Sequence, residues 1–120
     1  MMNADKDLAP RTKMFARRII RLYAALPRTA GAAQVLGKQM LRSGTSVGAN
    51  YREAHRARSK AEFISKIGDC LKEADETLYW LELLLEESFV PERRLRPLVN
   101  EANELVAIFT TIAKHARGIA

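Results

Sequence analysis

Apolar residues recur every three or four positions in four long segments of the chain, and this spacing places them on one face of an α-helix. The segments run from about Pro10 to Leu26, from about Ala32 to His55, from Ser59 through Leu85, and from Leu95 through Ala116. Short connections separate them, two of which contain proline, and short connections make consecutive helices antiparallel. The pattern predicts an all-α, antiparallel up-down-up-down four-helix bundle over residues 10–118, preceded by a flexible N-terminal tail over residues 1–9.

Local signals mark two helix ends and one close helix contact. Ser59 and Glu62 have the spacing of a capping box, which predicts the start of the third helix, and Gly118 predicts the end of the fourth. Three glycines form a track beside the apolar seam of the second helix: Gly37, Gly44 and Gly48. Each glycine lowers helix propensity by about 1 kcal/mol relative to alanine, so we expect the close approach of another helix to offset the loss.

Some polar residues lie on or beside this seam, and some apolar residues lie outside the seams. Ser43, Ser46 and Asn50 predict a structural polar core, in which a buried asparagine would fix helix register or oligomer state.

The apolar residues beyond one seam per helix predict self-association. They are Tyr79, Trp80, Leu83, Val99 and Val106.

Composition limits the class of protein. The 120 residues suit one domain, and the single cysteine, Cys70, excludes an intrachain disulfide. Without an apolar leader or a membrane-length apolar run, the sequence predicts a cytoplasmic protein with no membrane partner. Residues 1–60 contain 13 basic and 3 acidic side chains, whereas residues 61–120 contain 7 and 11. This asymmetry within a net charge of +6 indicates an acidic partner such as nucleic acid.

Much of the positive charge is predicted on the exposed faces of the first two helices. Four cations of the second helix share one stripe opposite its seam, and two more follow in the next connection, while the first helix contributes three. The predicted nucleic-acid-binding residues are Arg17, Arg18, Arg21, Lys38, Arg42, Arg52, Arg56, Arg58 and Lys60. A solubilising face is the alternative interpretation of the same stripe.

Other side chains offer weaker signals for chemistry. Two acidic pairs with i,i+3 spacing, Glu73/Glu76 and Glu101/Glu104, could hold a metal ion, but solvated faces and pairing with Lys72 are the favoured interpretation. His55 is expected on the surface near a helix end. No phosphate-binding loop or nucleophile motif is present, so the sequence predicts no catalytic residue, no metal site and no cofactor.

Three stretches of the chain resemble the four-helix bundle proteins of the 23S ribosomal RNA intervening-sequence family. They are residues 46–54 (SVGANYREA), residues 59–63 (SKAEF) and residues 72–81 (KEADETLYWL). The resemblance covers nearly all of the chain after the first dozen residues. It implies a bacterial bundle that assembles as a ring-shaped homopentamer, without known enzymatic activity. A related bundle, the accessory variability protein of diversity-generating retroelements, is a basic pentamer that binds a reverse transcriptase and nucleic acid.

Together, the residues and the resemblance predict a non-enzymatic homo-oligomer that binds nucleic acid, RNA rather than DNA, through its basic face. A structural or adaptor pentamer that binds a protein partner is the alternative. A metal-dependent nucleotide hydrolase that uses the two acidic pairs is a remote third hypothesis.

Overall fold

The computed structural model describes residues 3–118 and contains four helices. Helix α1 spans Asn3–Ala25, α2 spans Gly31–His55, α3 spans Lys60–Glu86 and α4 spans Glu92–Ala116. No strand occurs in this part of the chain, so the all-α prediction is confirmed.

Helix α1 begins earlier than the sequence pattern predicts. Residues 3–9 continue the helix, so the prediction of a tail over residues 1–9 is wrong for them, while residues 1 and 2 lie outside the described part. Leu8 is only 1% exposed and extends the buried line of Phe15 and Ile19 by two turns. Pro10 therefore lies inside the helix rather than at its start. Burial of Leu8 offsets the backbone hydrogen bond that proline cannot donate.

The helices form a bundle in which each packs against its neighbours along the chain. Pairs α1–α2, α2–α3 and α3–α4 pack along their lengths, and a sparser contact between α1 and α4 closes the bundle. Its extents are 47 × 23 × 20 Å. The core is one continuous apolar cluster. Helix α3 has one buried line of residues, which contains the polar Thr77 besides Ile67, Cys70, Ala74, Leu81 and Leu84.

The predicted helix ends are confirmed. Ser59 precedes α3, and its hydroxyl accepts a 3.0 Å hydrogen bond from the Glu62 backbone N–H. Gly118 follows α4 with a φ of 78°, a left-handed conformation that suits glycine.

The glycine track of α2 faces α1, so the predicted close contact with another helix is confirmed. A Cβ atom on Gly44 would lie 2.9 Å from two carbons of the Ile19 side chain. One on Gly48 would lie 3.2 Å from the Thr12 hydroxyl oxygen. The absence of side chains at these positions lets α1 and α2 approach closely.

The predicted polar core is only partly correct. Ser43 is fully buried, and its hydroxyl accepts a 2.7 Å hydrogen bond from the Thr77 hydroxyl of α3. Ser46 and Asn50 are half-buried instead, and the Ser46 hydroxyl donates a 2.7 Å hydrogen bond to the Arg42 carbonyl of its own helix. Within the single chain the buried polar pair is therefore Ser43 and Thr77, and the role of Asn50 in register or oligomer state stays a prediction.

The apolar residues predicted to lie outside the seams divide into three groups. Val99 is buried within the chain, which corrects its assignment to a free surface, because it packs in the main core. Trp80, Leu83 and Val106 are half-buried. Tyr79 is 55% exposed, and its ring makes an edge contact with Trp80 at a centroid separation of 5.1 Å.

Candidate nucleic-acid interface

An open groove of about 670 Å³ runs between the N-terminal half of α1 and the C-terminal half of α2. Small residues of both helices line it: Ala9, Thr12, Ala16, Thr45, Gly48 and Ala49. Because none of these side chains is large, a ligand backbone could approach the two helices closely. The groove also contains the charged residues Lys13, Arg52, Glu53 and Arg56, together with Tyr51 and His55.

Three cations of this groove carry no ion pair within the described residues. Lys13 of α1 and Arg52 and Arg56 of α2 are all exposed, and every ion pair that the structure records for this region involves other cations. The one carboxylate in the lining, Glu53, lies 2.7 Å from Lys66 of α3. The pair with Glu53 raises the pKa of Lys66. The acidic group of the groove is thus directed toward a cation outside it.

Lys13 was not among the binding residues predicted from sequence. Its only sequence signal is its place on α1 one turn before Arg17, and that signal does not reveal which helix it faces. The rotation of α1 against the glycine track of α2 brings Lys13 to the groove.

The other predicted cations are distributed around this groove and beyond it. Arg17 and Arg21 are exposed on α1, and Arg18 is half-buried. Arg58 and Lys60 are exposed in and just after the connection from α2 to α3, close in sequence to Arg56. Lys38 is exposed about 20 Å along α2 from Arg52, a distance that follows from the helical rise. The structure therefore unites Arg52 and Arg56 in one groove and leaves Lys38 apart.

Arg42 is exposed but, unlike Arg52 and Arg56, it is paired with acidic residues. Its guanidinium forms ion pairs with Glu73 and Glu76 of α3, and the hydrogen bonds to these carboxylates raise its pKa. The Glu73 side chain is only 16% exposed, and Glu76 also accepts a 3.3 Å hydrogen bond from the Trp80 indole N–H. The α3 side of Arg42 is therefore occupied by acidic residues.

A second arginine occupies the other acidic pair. Arg11 of α1 donates two 2.8 Å hydrogen bonds to Glu101 of α4, and its guanidinium lies 3.5 Å from Glu104. These contacts join the two helices whose packing is sparsest. Each i,i+3 pair of glutamates thus binds an arginine of the neighbouring helix, which corrects the expected pairing with Lys72.

The two acidic pairs do not form the one site that the hypothesis of a metal-dependent hydrolase requires. Glu73 and Glu76 face α2, whereas Glu101 and Glu104 face α1, so the four carboxylates do not converge. The described residues include no group of three or more histidine, cysteine or acidic side chains arranged to hold a metal ion.

The two remaining candidates for chemistry lie in different environments. Cys70 is buried, its thiol is 3.6 Å from the Val47 carbonyl oxygen, and burial raises its pKa to about 12. Burial and the raised pKa are expected to make this thiol unreactive at neutral pH. His55 is exposed at the groove, in agreement with the expectation of a surface histidine, and its Nε2 shares a 2.9 Å hydrogen bond with the Tyr51 hydroxyl.

The fold and the groove define a four-helix bundle with a basic surface on its first two helices, and comparison with known proteins identifies its family. The family model of the 23S rRNA-intervening sequence protein matches residues 5–111. The chain belongs to this family, which confirms the resemblance noted in the sequence.

A solved structure supports the same assignment. It is a protein of unknown function from the S23 ribosomal protein family of Bacteroides thetaiotaomicron. The two chains are 42% identical with a TM-score of 0.81, over 88% of this chain and 97% of that one. No curated protein matches the chain. Among the residues that the structure describes, no helix is long and apolar enough to cross a membrane.

Proposed function

We propose that this protein is a non-enzymatic, homo-oligomeric bundle that binds RNA through the α1–α2 groove. The observation that carries the proposal is the group formed by Lys13, Arg52 and Arg56, three exposed cations without an ion pair in the described chain, around a floor of small residues. Phosphate groups would replace the missing anions and release counterions from the nucleic acid.

The charge distribution supports a polyanion over other ligands. Arg17, Arg58 and Lys60 are exposed near the two helix segments that form the groove and would extend contact along a strand. Binding of this kind is electrostatic and weakly sequence-selective. Because the family description refers to an intervening sequence of 23S rRNA, RNA is the first ligand to test. We place this function in the cytoplasm.

The experiment is a fluorescence anisotropy titration of labelled RNA at about 0.1 M salt with matched variants. The groove variant is Lys13→Gln/Arg52→Gln/Arg56→Gln, and the control is Lys72→Gln/Arg93→Gln/Arg94→Gln, which removes the same charge from exposed positions outside the groove. Three lost phosphate contacts at about 0.7 counterions each predict a loss of affinity of about 100-fold for the groove variant.

The control is expected to stay within about threefold of the wild type, because only the long-range field of the protein changes. Equal losses in both variants would contradict a defined groove and would leave only non-specific attraction. Wild-type protein that fails to bind RNA at micromolar concentration and low salt would refute the proposal. Selective recovery of a protein partner in that case would support the adaptor alternative.

We also propose that the chain assembles, as a ring-shaped homopentamer according to the resemblance noted above. The exposed Tyr79 and the half-buried Trp80 and Leu83 on one side of α3 support self-association. Sedimentation equilibrium would give a mass five times the 13.5 kDa of the chain, and Tyr79→Ser should lower it. A concentration-independent monomer would contradict the assembly. A ring would repeat the groove around its circumference and raise the avidity for a long RNA.

A further inference from the structure

The groove contains an aromatic side chain whose position electrostatic binding does not explain. His55 is exposed at the end of α2, next to the groove cations Arg52 and Arg56. Its ring is perpendicular to that of Tyr51, with the centroids 4.7 Å apart, and its Nε2 shares a 2.9 Å hydrogen bond with the Tyr51 hydroxyl. A surface histidine near a helix end has no need of such an orientation for solubility.

Tyr51 anchors this arrangement in the core. Its side chain is only 2% exposed, and its ring is 6.0 Å from that of the fully buried Phe109 in α4. The i,i+4 spacing places His55 one helical turn beyond Tyr51 on the same face. The buried Tyr51 side chain therefore holds the imidazole of His55 in one orientation.

Tyr51 leaves at least one face of the imidazole available. A hydrogen bond through Nε2 lies near the plane of the ring and uses an edge, and the perpendicular Tyr51 ring can cover at most one face of the exposed His55 side chain. An exposed, oriented aromatic face beside phosphate-binding cations is the combination by which proteins hold unpaired nucleotides, whose bases stack on aromatic side chains. A base inside a duplex is already stacked on both sides and cannot use it.

We propose that His55, braced by Tyr51, is a stacking platform that makes the groove select single-stranded over double-stranded nucleic acid. This inference rests on the proposed function of the groove and adds the conformation of the strand that it accepts. The cations bind phosphates of either form, and the His55 face adds a contact that only an unpaired base can make.

The experiment measures the affinities of the full-length protein for four probes of one mixed sequence: single-stranded RNA, single-stranded DNA, duplex RNA and duplex DNA. The variants are His55→Ala, His55→Phe and Tyr51→Phe. Loss of one stacked base predicts that His55→Ala binds both single strands at least about fivefold more weakly, with duplex affinities unchanged within twofold. His55→Phe retains a stacking face but loses the hydrogen bond to Tyr51, so it should weaken single-strand binding by a smaller factor than His55→Ala and leave the duplex affinities unchanged within about twofold.

The phenylalanine variant separates stacking from charge. If His55 acted as a cation, His55→Phe and His55→Ala would lose affinity equally, and single strands and duplexes would be affected alike, which would overturn the inference. Tyr51→Phe retains the core ring and removes the hydroxyl, so it should weaken single-strand binding by a smaller factor than His55→Ala. Comparison of the two single strands decides whether the 2′-hydroxyl contributes.

The result distinguishes this inference from the proposed function. Wild-type protein that binds RNA while His55→Ala binds all four probes normally would overturn the stacking platform and leave the basic groove intact. Wild-type protein that binds none of the probes would refute the groove itself. The helical content of each variant, measured by circular dichroism, ensures that a loss of binding is not a loss of fold.

Discussion

Substitution of Gly44 by alanine tests the close packing of α1 against α2. Alanine gains about 1 kcal/mol of helix propensity over glycine, so the local sequence alone predicts a more stable protein. The structure predicts the opposite, because the new Cβ would lie 2.9 Å from both Cγ1 and Cγ2 of Ile19. Favourable carbon contacts begin near 3.5 Å, so one of the helices must shift.

The magnitude follows from the rigidity of Ile19. This side chain is fully buried, and a β-branched residue in a helix has one strongly preferred rotamer, so it cannot turn away. Overpacking of this kind costs about 1 to 3 kcal/mol, which leaves a net loss of about 1 kcal/mol after the gain in propensity. The melting temperature should fall by roughly 4 °C.

Gly68 provides the matched control. It lies inside α3, where a Cβ atom would meet no heavy atom within 4 Å beyond its own stretch of helix. Gly68→Ala should therefore stabilise the protein by about 1 kcal/mol, so the two variants should differ by about 2 kcal/mol. Urea denaturation followed by circular dichroism measures both free energies of unfolding. A Gly44→Ala protein as stable as Gly68→Ala would refute the close helix approach.

Three further predictions concern Arg42, the buried Ser43–Thr77 pair and Cys70. Arg42→Leu should lower the free energy of unfolding by about 1 kcal/mol, because Glu73 loses its cation, while RNA affinity in the same anisotropy assay stays within about twofold. Thr77→Val should lower the free energy of unfolding by about 1 kcal/mol, because it removes the hydrogen bond to Ser43. The double variant Ser43→Ala/Thr77→Val should lose less than the sum of the two single substitutions, and a double-mutant cycle in urea measures the difference. Cys70 should react with a thiol reagent at pH 8 at least about 100-fold more slowly in the folded protein than in urea, because its pKa is raised to about 12. The same shift means that the protonated Cys70 thiol contributes fully to the free energy of unfolding below about pH 9 and that this contribution is lost as pH rises toward 12. A free energy of unfolding that increases over this range, relative to that of Cys70→Ala, would contradict the burial of the thiol.

Helical periodicity predicts the bundle well, because burial repeats with the turn of the helix. Phe15, Ile19 and Leu22 lie in the core as their spacing indicates, and Ser59 begins α3 as its capping signal indicates. The sequence also contains a signal for the early start of α1. Leu8 precedes Thr12 and Phe15 by four and seven positions, and this continues the stripe through Pro10.

The candidate site depends on how helices are rotated and aligned with one another, and local sequence does not encode this directly. Arg42 and Arg52 occupy one predicted stripe, yet Arg42 meets two glutamates of α3 and Arg52 lies at the α1–α2 groove. Lys13 reaches the groove only because the α2 glycines set the position of α1. Pairwise helix contacts thus decide which cations remain available for an anion.

The salt dependence of RNA binding tests the central claim most directly. The logarithm of the association constant of single-stranded RNA should fall linearly with the logarithm of salt concentration, and Lys13→Gln/Arg52→Gln/Arg56→Gln should make that slope shallower by about 2. This is the change expected when three phosphate contacts of the α1–α2 groove are lost. A slope identical to that of the wild type would show that RNA, if bound, contacts another surface, and it would contradict the account.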